Sequence, residues 1–318
     1  MKKLFTSSFL LLTTLSTTLY GYPPGFNADV GVGYRQDQLK WATRDPQDST
    51  DPVSSLKWKE LQIFDINGFA NFTTCNYWYF RVNGNYGRIY SGRVDDSDYS
   101  VSASGGSSRT LIEKNHLNGG RGEVFDLGGG VGYVFKSAGG RMTIAPLIGY
   151  MHSEQHLRAY DAVNVFLFDS TPLGRIEGAN STYNNRWYGG FAAYDMVVNF
   201  SCNLRFIGTV QGMMGNYRAK ANWNLRDDII GDVFHKGNFV GGYGQGGFIY
   251  NIFCNHFIGV TGTYRNLWTH HGEQKITRVT YFVNAFGIAT GESIVKSKQK
   301  MHVRWTSWSV LGNWLWHF

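Results

Sequence analysis

At 318 residues with a formal charge of +7, the chain can form one large domain, and its basic residues are too scattered for a nucleic-acid arm. Its 40 glycines, 22 phenylalanines, 19 tyrosines and 10 tryptophans, against only 17% charged residues, make an aromatic, glycine-rich β composition. No segment reaches 18 consecutive apolar residues, which excludes a hydrophobic spanning helix from the expected architecture.

In chain order, the first expected element is a leader. Residues 1–21 carry two lysines, an apolar stretch from Leu4 to Leu15 and then small polar residues. That is the layout of a secretory signal peptide, too short to cross a bilayer as a stable helix. Residues 22–318 are then an exported chain without a hydrophobic helix. The expected fold is all-β, an antiparallel transmembrane β-barrel of the outer membrane with long extracellular loops.

The strands announce themselves by period two. In NADVGVGYR, Ala28, Val30, Val32 and Tyr34 alternate with Asn27, Asp29, Gly31, Gly33 and Arg35. In YWYFRVNGNYG, Trp78, Phe80, Val82 and Tyr86 oppose Tyr79, Arg81, Asn83 and Asn85. In VFDLGGGVGYVF, Phe125, Leu127, Val131 and Tyr133 oppose Asp126 and glycines. One face suits lipid and the other a polar lumen. Ten strands are expected, near 26–41, 56–71, 76–90, 122–136, 141–157, 186–200, 204–219, 238–252, 256–270 and 304–318. The segment 276–303 either extends the last hairpin or adds two more, for twelve.

The connections alternate in length. Short turns fall near 72–75, 137–140, 201–203 and 253–255, and long polar segments near 42–55, 91–121, 158–185, 220–238 and 271–303. This is the rim asymmetry of an outer-membrane barrel, with the long loops extracellular. Strands of about 15 residues exceed the ~10 that cross the apolar slab, so the barrel should rise above the membrane on the long-loop side. A ten-stranded lumen is narrow, and inward Arg35, Asp65, Arg81 and Asp126 are expected to fill it with a polar network.

Two features mark the periplasmic rim. NFTTCN, NFSCN and NIFCN place Cys75, Cys202 and Cys254 at equivalent short turns. They read either as a recurring turn that tolerates cysteine or as cross-linking points in the envelope. Neither CxxC nor a His/Cys ligand spacing occurs, so no metal site is expected. In the tail, Thr306, Trp308, Val310, Gly312, Trp314, Trp316 and Phe318 share one face, the pattern of a lipid-facing closing strand. Trp314, Trp316 and Phe318 form an expected C-terminal signal for barrel-assembly machinery.

The order of features resembles the omptin family of outer-membrane proteases. FNADVGVGY resembles that family's first strand, SSLKWK its second-strand entry, GEVFDLGGGVGYVF its fourth strand and LIGYMHSEQ a segment of its fifth. The resemblance implies a ten-stranded barrel with a groove at its extracellular top. It also implies a water activated between an aspartate pair and a His–Asp dyad on opposite walls, where imidazole and carboxylates share the proton traffic. For the pair, Asp96 and Asp98 in SGRVDDSDYS fit the family's Asp-x-Asp spacing. For the dyad, the family's Asp-x-His belongs after the seventh strand. Here that segment reads AKANWNLRDDIIGDVFHKGN and offers Asp227, Asp228, Asp232 and His235, the last two three apart instead of two. The family's lipopolysaccharide-binding positions on the fifth strand are matched by Tyr150, while its neighbours read His152 and Glu154.

Three functions stay open on the sequence. One is a surface barrel acting in envelope structure or host contact through its loops, without omptin chemistry. Another is an omptin-type surface endopeptidase using Asp96, Asp98 and a displaced His235, and the third is a narrow channel. The expected partners are outer-membrane lipids and lipopolysaccharide, barrel-assembly machinery, and host or envelope proteins. No cofactor is expected besides lipopolysaccharide, and no nucleic acid.

Overall fold

The computed structural model describes residues 25–44, 52–100, 110–137, 139–167, 173–253, 255–283 and 289–317. The expected signal peptide lies outside the described residues. Twelve antiparallel strands form one sheet: β1 (Gly25–Arg44), β2 (Pro52–Thr73), β3 (Trp78–Tyr99), β4 (Leu111–Asn118), β5 (Gly122–Tyr133), β6 (Phe135–Lys136), β7 (Met142–Leu167), β8 (Gly174–Asn199), β9 (Leu204–Asn222), β10 (Val233–Phe253), β11 (His256–Val283) and β12 (Ala289–His317). The short β4, β5 and β6 follow one another along a single wall against β7, so the ring has ten walls. It closes where β1 pairs with β12, from Asn27 opposite His317 to Arg44 opposite Lys300.

Closure explains the period-two pattern. With every wall paired on both sides, the backbone is satisfied and side chains decide orientation. Val30, Phe64, Phe80, Leu127, Val210 and Val310 point outward and lie between 46% and 69% exposed. An apolar band of this size is tolerable only against lipid. Inside that band, Arg35 reaches Asp37 and Asp126 at 2.8 Å each, and Arg265 reaches Asp126 at 2.6 Å. Asp37 also accepts from Gln155 at 2.9 Å and Trp305 at 3.0 Å, while Asn85 donates to Asp65 at 2.7 Å. Arg81 forms a separate pair with Asp195 at 2.6 Å. The expected lumen network is therefore present, and about 100 Å³ of space remains among its members.

The strands are taller than their sequence pattern suggests. Most of 91–121, 158–185 and 271–303, read as loop from polarity, is strand. Segment 276–303 extends the last hairpin and adds no wall, with Ile276 opposite Ser297 and Phe282 opposite Gly291. Polar composition was the misleading signal, because above the membrane the outer face of a wall meets water instead of lipid. At 26 residues, β7 spans roughly 85 Å, against the ~10 residues that cross the slab.

A ring of irregularities separates this head from the membrane body. Glu60 (φ 52°), Asp161 (φ 53°) and His271 (φ 53°) are left-handed residues at register shifts in β2, β7 and β11. An extra residue at each shift exchanges the inner and outer faces. In β2, Leu61, Ile63 and Asp65 are buried below Glu60, and Leu56 and Trp58 above it. Just above this ring the interior becomes aromatic. Trp187 packs on Tyr217, Phe239 and Trp305 with ring centroids 4.4, 5.4 and 6.0 Å apart, and forms the floor of the head on the long-loop side.

Candidate functional site

Above the aromatic floor lies an open groove of about 500 Å³. Asp96 and Asp98 line it, not from a loop after the third strand but from the upper end of β3 itself. They share even numbering with outward Phe80, Val82 and Tyr86. The register shifts between β2 and β3 around Gln62 and Ser91 turn them inward. Asp95 is left on the outer face, where it pairs with Lys59 and, at 3.0 Å, with His116.

The acidic wall has a third member. Register puts Asp98 directly opposite Glu113 of β4, with Asp96 opposite Asn115. Burial raises the Asp96 carboxyl to about 8, with repulsion from Asp98 and Glu113 adding to it and Arg226 opposing it. Glu113 accepts from Asn115 Nδ2 at 2.8 Å, which leaves the buried Asn115 Oδ1 without a partner. Gln274, 5% exposed, also lines the groove. The groove thus collects acceptors over an aromatic base of Trp41 and Trp223, whose rings lie 6.0 Å apart.

The facing wall comes from the turn between β9 and β10. Arg226 clamps Asp228 through Nε–Oδ1 at 2.8 Å and Nη2–Oδ2 at 3.1 Å. The turn is laid against β11 by Ile230 N–H donating to Thr277 O at 2.9 Å and Val279 N–H donating to Asp228 O at 2.8 Å. Arg226 is the residue whose charge acts on Asp96 and Asp98. A guanidinium stays protonated throughout the accessible pH range, so it attracts anions and cannot serve as a general base.

The expected dyad is not assembled. Asp232 pairs with Lys220 at 2.8 Å. His235 is 2% exposed below the groove, its Nδ1 2.8 Å from the Tyr183 hydroxyl and its ring 5.3 Å from Trp41. Burial pushes its imidazole down to about 3, and the side chain of Gln274, its register partner on β11, offsets a part of that as a hydrogen-bond partner. The physical reason is parity: His235 shares the inward face of β10 with Val233 and Phe239, both buried. It is a core histidine beneath the site. The charge that faces Asp96 and Asp98 is Arg226, which no catalytic spacing singles out, and Asp228, a candidate of the same segment, is bonded to it. Their Arg-x-Asp order stands where Asp-x-His was sought.

The remaining expected residues lie elsewhere. Tyr150 is 55% exposed on the outer wall. Above it Glu154 is taken up by His152 at 2.7 Å, His156 at 3.1 Å and Arg186 at 3.0 Å. Cys75 and Cys202 are exposed free thiols at the short-turn rim, and Cys254 lies outside the described residues. Trp314 and Trp316 sit together at that rim, 6.4 Å between rings, and Phe318 is outside the described residues. Among the described residues, no group of three His, Cys, Asp or Glu has a geometry that could hold a metal ion.

Comparison with solved structures gives the same architecture. The chain superposes on the outer membrane protease OmpT of Escherichia coli with a TM-score of 0.72 at 14% identity, covering 95% of this chain and 99% of that one. At that identity the likeness is one of fold. The toluene transporter TodX of P. putida (TM-score 0.31, 7% identity, 93% and 91% covered) and a Pseudomonas aeruginosa FadL homologue (0.30, 10%, 90% and 90%) are far weaker matches. No curated protein matches the sequence. A family model described as "Pom: Protochlamydia outer membrane protein" matches residues 29–317, nearly the whole described barrel. The chain therefore belongs to the Pom family of outer membrane proteins, built on an omptin-like ten-walled barrel.

Proposed function

We propose that this outer-membrane barrel is a surface recognition protein whose extracellular groove holds a cationic side chain and does not cleave peptides. One observation carries the reading: the wall facing Asp96 and Asp98 presents Arg226 bonded to Asp228, where peptide hydrolysis of the omptin type needs an exposed imidazole. The acidic wall, with the unpartnered Asn115 oxygen, suits a ligand rich in N–H donors. Trp41 and Trp223 supply apolar and cation–π contact beneath it.

Titration of the refolded chain with an arginine-rich peptide, followed by intrinsic tryptophan fluorescence, tests this. Wild type is expected to saturate, and the Asp96→Asn/Asp98→Asn variant to bind roughly 10- to 100-fold more weakly, the loss of one charge-assisted contact. Equal affinity in both, or equal affinity for a glutamate-rich peptide, would sink the reading.

A second reading, a narrow channel, draws on one observation. Arg35, Asp65, Arg81, Asp126 and Arg265 line the lumen around a polar space of about 100 Å³. Stepwise conductance in planar bilayers that changes with Arg265→Ala supports it, and an unbroken baseline removes it.

A further inference from the structure

The groove holds charge of both signs. Asp96, Asp98 and Glu113 line one side, and Arg226 and Arg278 line the other. A ligand bearing cations alone satisfies the first side and is repelled by the second.

The two guanidinium groups share one carboxylate. Arg226 uses part of its N–H fork on Asp228, through Nε and Nη2. Arg278 Nε stands 3.8 Å from Asp228 Oδ2, too far for a hydrogen bond. That Nε is buried and has no hydrogen-bond partner among the described residues. Among the described residues, Asp228 is also the one carboxylate in an ion pair with either group. Asp228 is not among the residues that line the groove. It braces both guanidinium groups from the turn and leaves one positive charge uncompensated.

The two sides act on each other without touching. Asp96 and Asp98 act on Arg226 through space, and among the described residues no ion pair joins them to it. The space between them is open to a ligand. Arg226 and Arg278 lie at the mouth, with side chains 46% and 42% exposed. Below Arg278 on the same face of β11, Ile276 and Gln274 are buried, and Trp41 and Trp223 form the base. A chain that enters from the mouth ends against that base, which suits a terminus better than the middle of a chain.

A peptide that ends in arginine or lysine carries both charges on its last residue, a long cationic side chain and an α-carboxylate. Guanidinium groups take carboxylates through paired N–H donors. We propose that the groove receives such a C-terminal residue, with its side-chain cation at Asp96 and Asp98 and its carboxylate at Arg226 and Arg278. The assignment rests on the groove being a site for a cationic side chain, and it adds the free carboxylate as the feature the groove selects.

Tryptophan fluorescence of the refolded full chain in zwitterionic micelles, titrated with one peptide in three forms, tests the site. The forms end in arginine as the free acid, end in arginine amide, or carry an internal arginine–aspartate pair with an amidated end. Wild type is expected to bind the free acid about 10- to 100-fold more tightly than the amide, the effect of one charge-assisted contact. Arg278→Gln should abolish that difference and Arg278→Lys should keep most of it, which separates charge from fold. Arg158→Gln, on the outer wall, should leave the difference unchanged. Equal binding of acid and amide by wild type would overturn the proposal while the cation site stands, and binding of neither would overturn both. An unchanged preference in Arg278→Gln would also overturn it. So would tight binding of the internal pair to match the free acid, by marking a site for an acidic side chain within a chain.

Discussion

Replacing Asp126 by alanine is expected to cost the folded barrel about 3–5 kcal/mol. Asp126 sits between two guanidinium groups, Arg35 at 2.8 Å and Arg265 at 2.6 Å, whose side chains are 4% and 15% exposed. Without the carboxylate, Arg35 keeps Asp37, but Arg265 is left, among the described residues, with one hydrogen bond, to the Ser153 hydroxyl at 3.3 Å, and with the rings of Trp305 and Tyr243, and with no anion. A buried cation without a partner is far more costly than a missing pair. Removing charge on both sides, as in Asp126→Leu/Arg265→Met, should therefore recover most of the loss. Urea unfolding of the refolded barrel in micelles measures both. A single variant within about 1 kcal/mol of wild type would show that this network contributes little to stability.

The second large effect is on the pH dependence of the groove. Asp96 titrates near 8 because burial, Asp98 and Glu113 all disfavour its charge, against the pull of Arg226. A folded pKa raised above the unfolded value means the neutral carboxyl is favoured in the fold. This contribution to stability is complete below about pH 4 and is lost as pH rises toward 8. Ligand binding runs the other way, since a cation entering the groove must displace that proton. Affinity for an arginine-rich peptide should rise by up to tenfold per pH unit below about pH 8 and level off above it. Asp96→Asn should flatten the profile, with Asp98, Glu113, Arg226 and Arg278 still facing the groove. A wild-type profile that is flat from pH 6 to about 9 would contradict the assignment to Asp96.

Much of the barrel was legible because lipid and lumen impose opposite chemistry on alternate residues. Val30 against Asp29, and Phe125 against Asp126, declare their faces, and the lumen charges were identifiable before any partner was known. That logic ends at Glu60, Asp161 and His271, where a left-handed residue and a register shift exchange the faces. Above them the outer face meets water instead of lipid, so polar runs such as Lys296–Lys300 in β12 carry no amphipathic signature and read as loop. Asp96 and Asp98 illustrate the consequence. Plain alternation from Phe80 and Val82 points them at solvent, and only the irregularity near Ser91 makes them a site. His235 failed for the converse reason. Its residue type suggested chemistry, but its parity with Val233 and Phe239 places it in the core.

The most direct measurement of recognition without cleavage is mass analysis of the peptide itself. Refolded wild type and Asp98→Asn would be incubated with a panel of basic and mixed-sequence peptides, with and without lipopolysaccharide, under conditions where binding is saturated. The groove described above, with Arg226 and Asp228 facing Asp96 and Asp98 and His235 sealed below, predicts intact peptides in every sample. Fragments formed by wild type and absent with Asp98→Asn would contradict it.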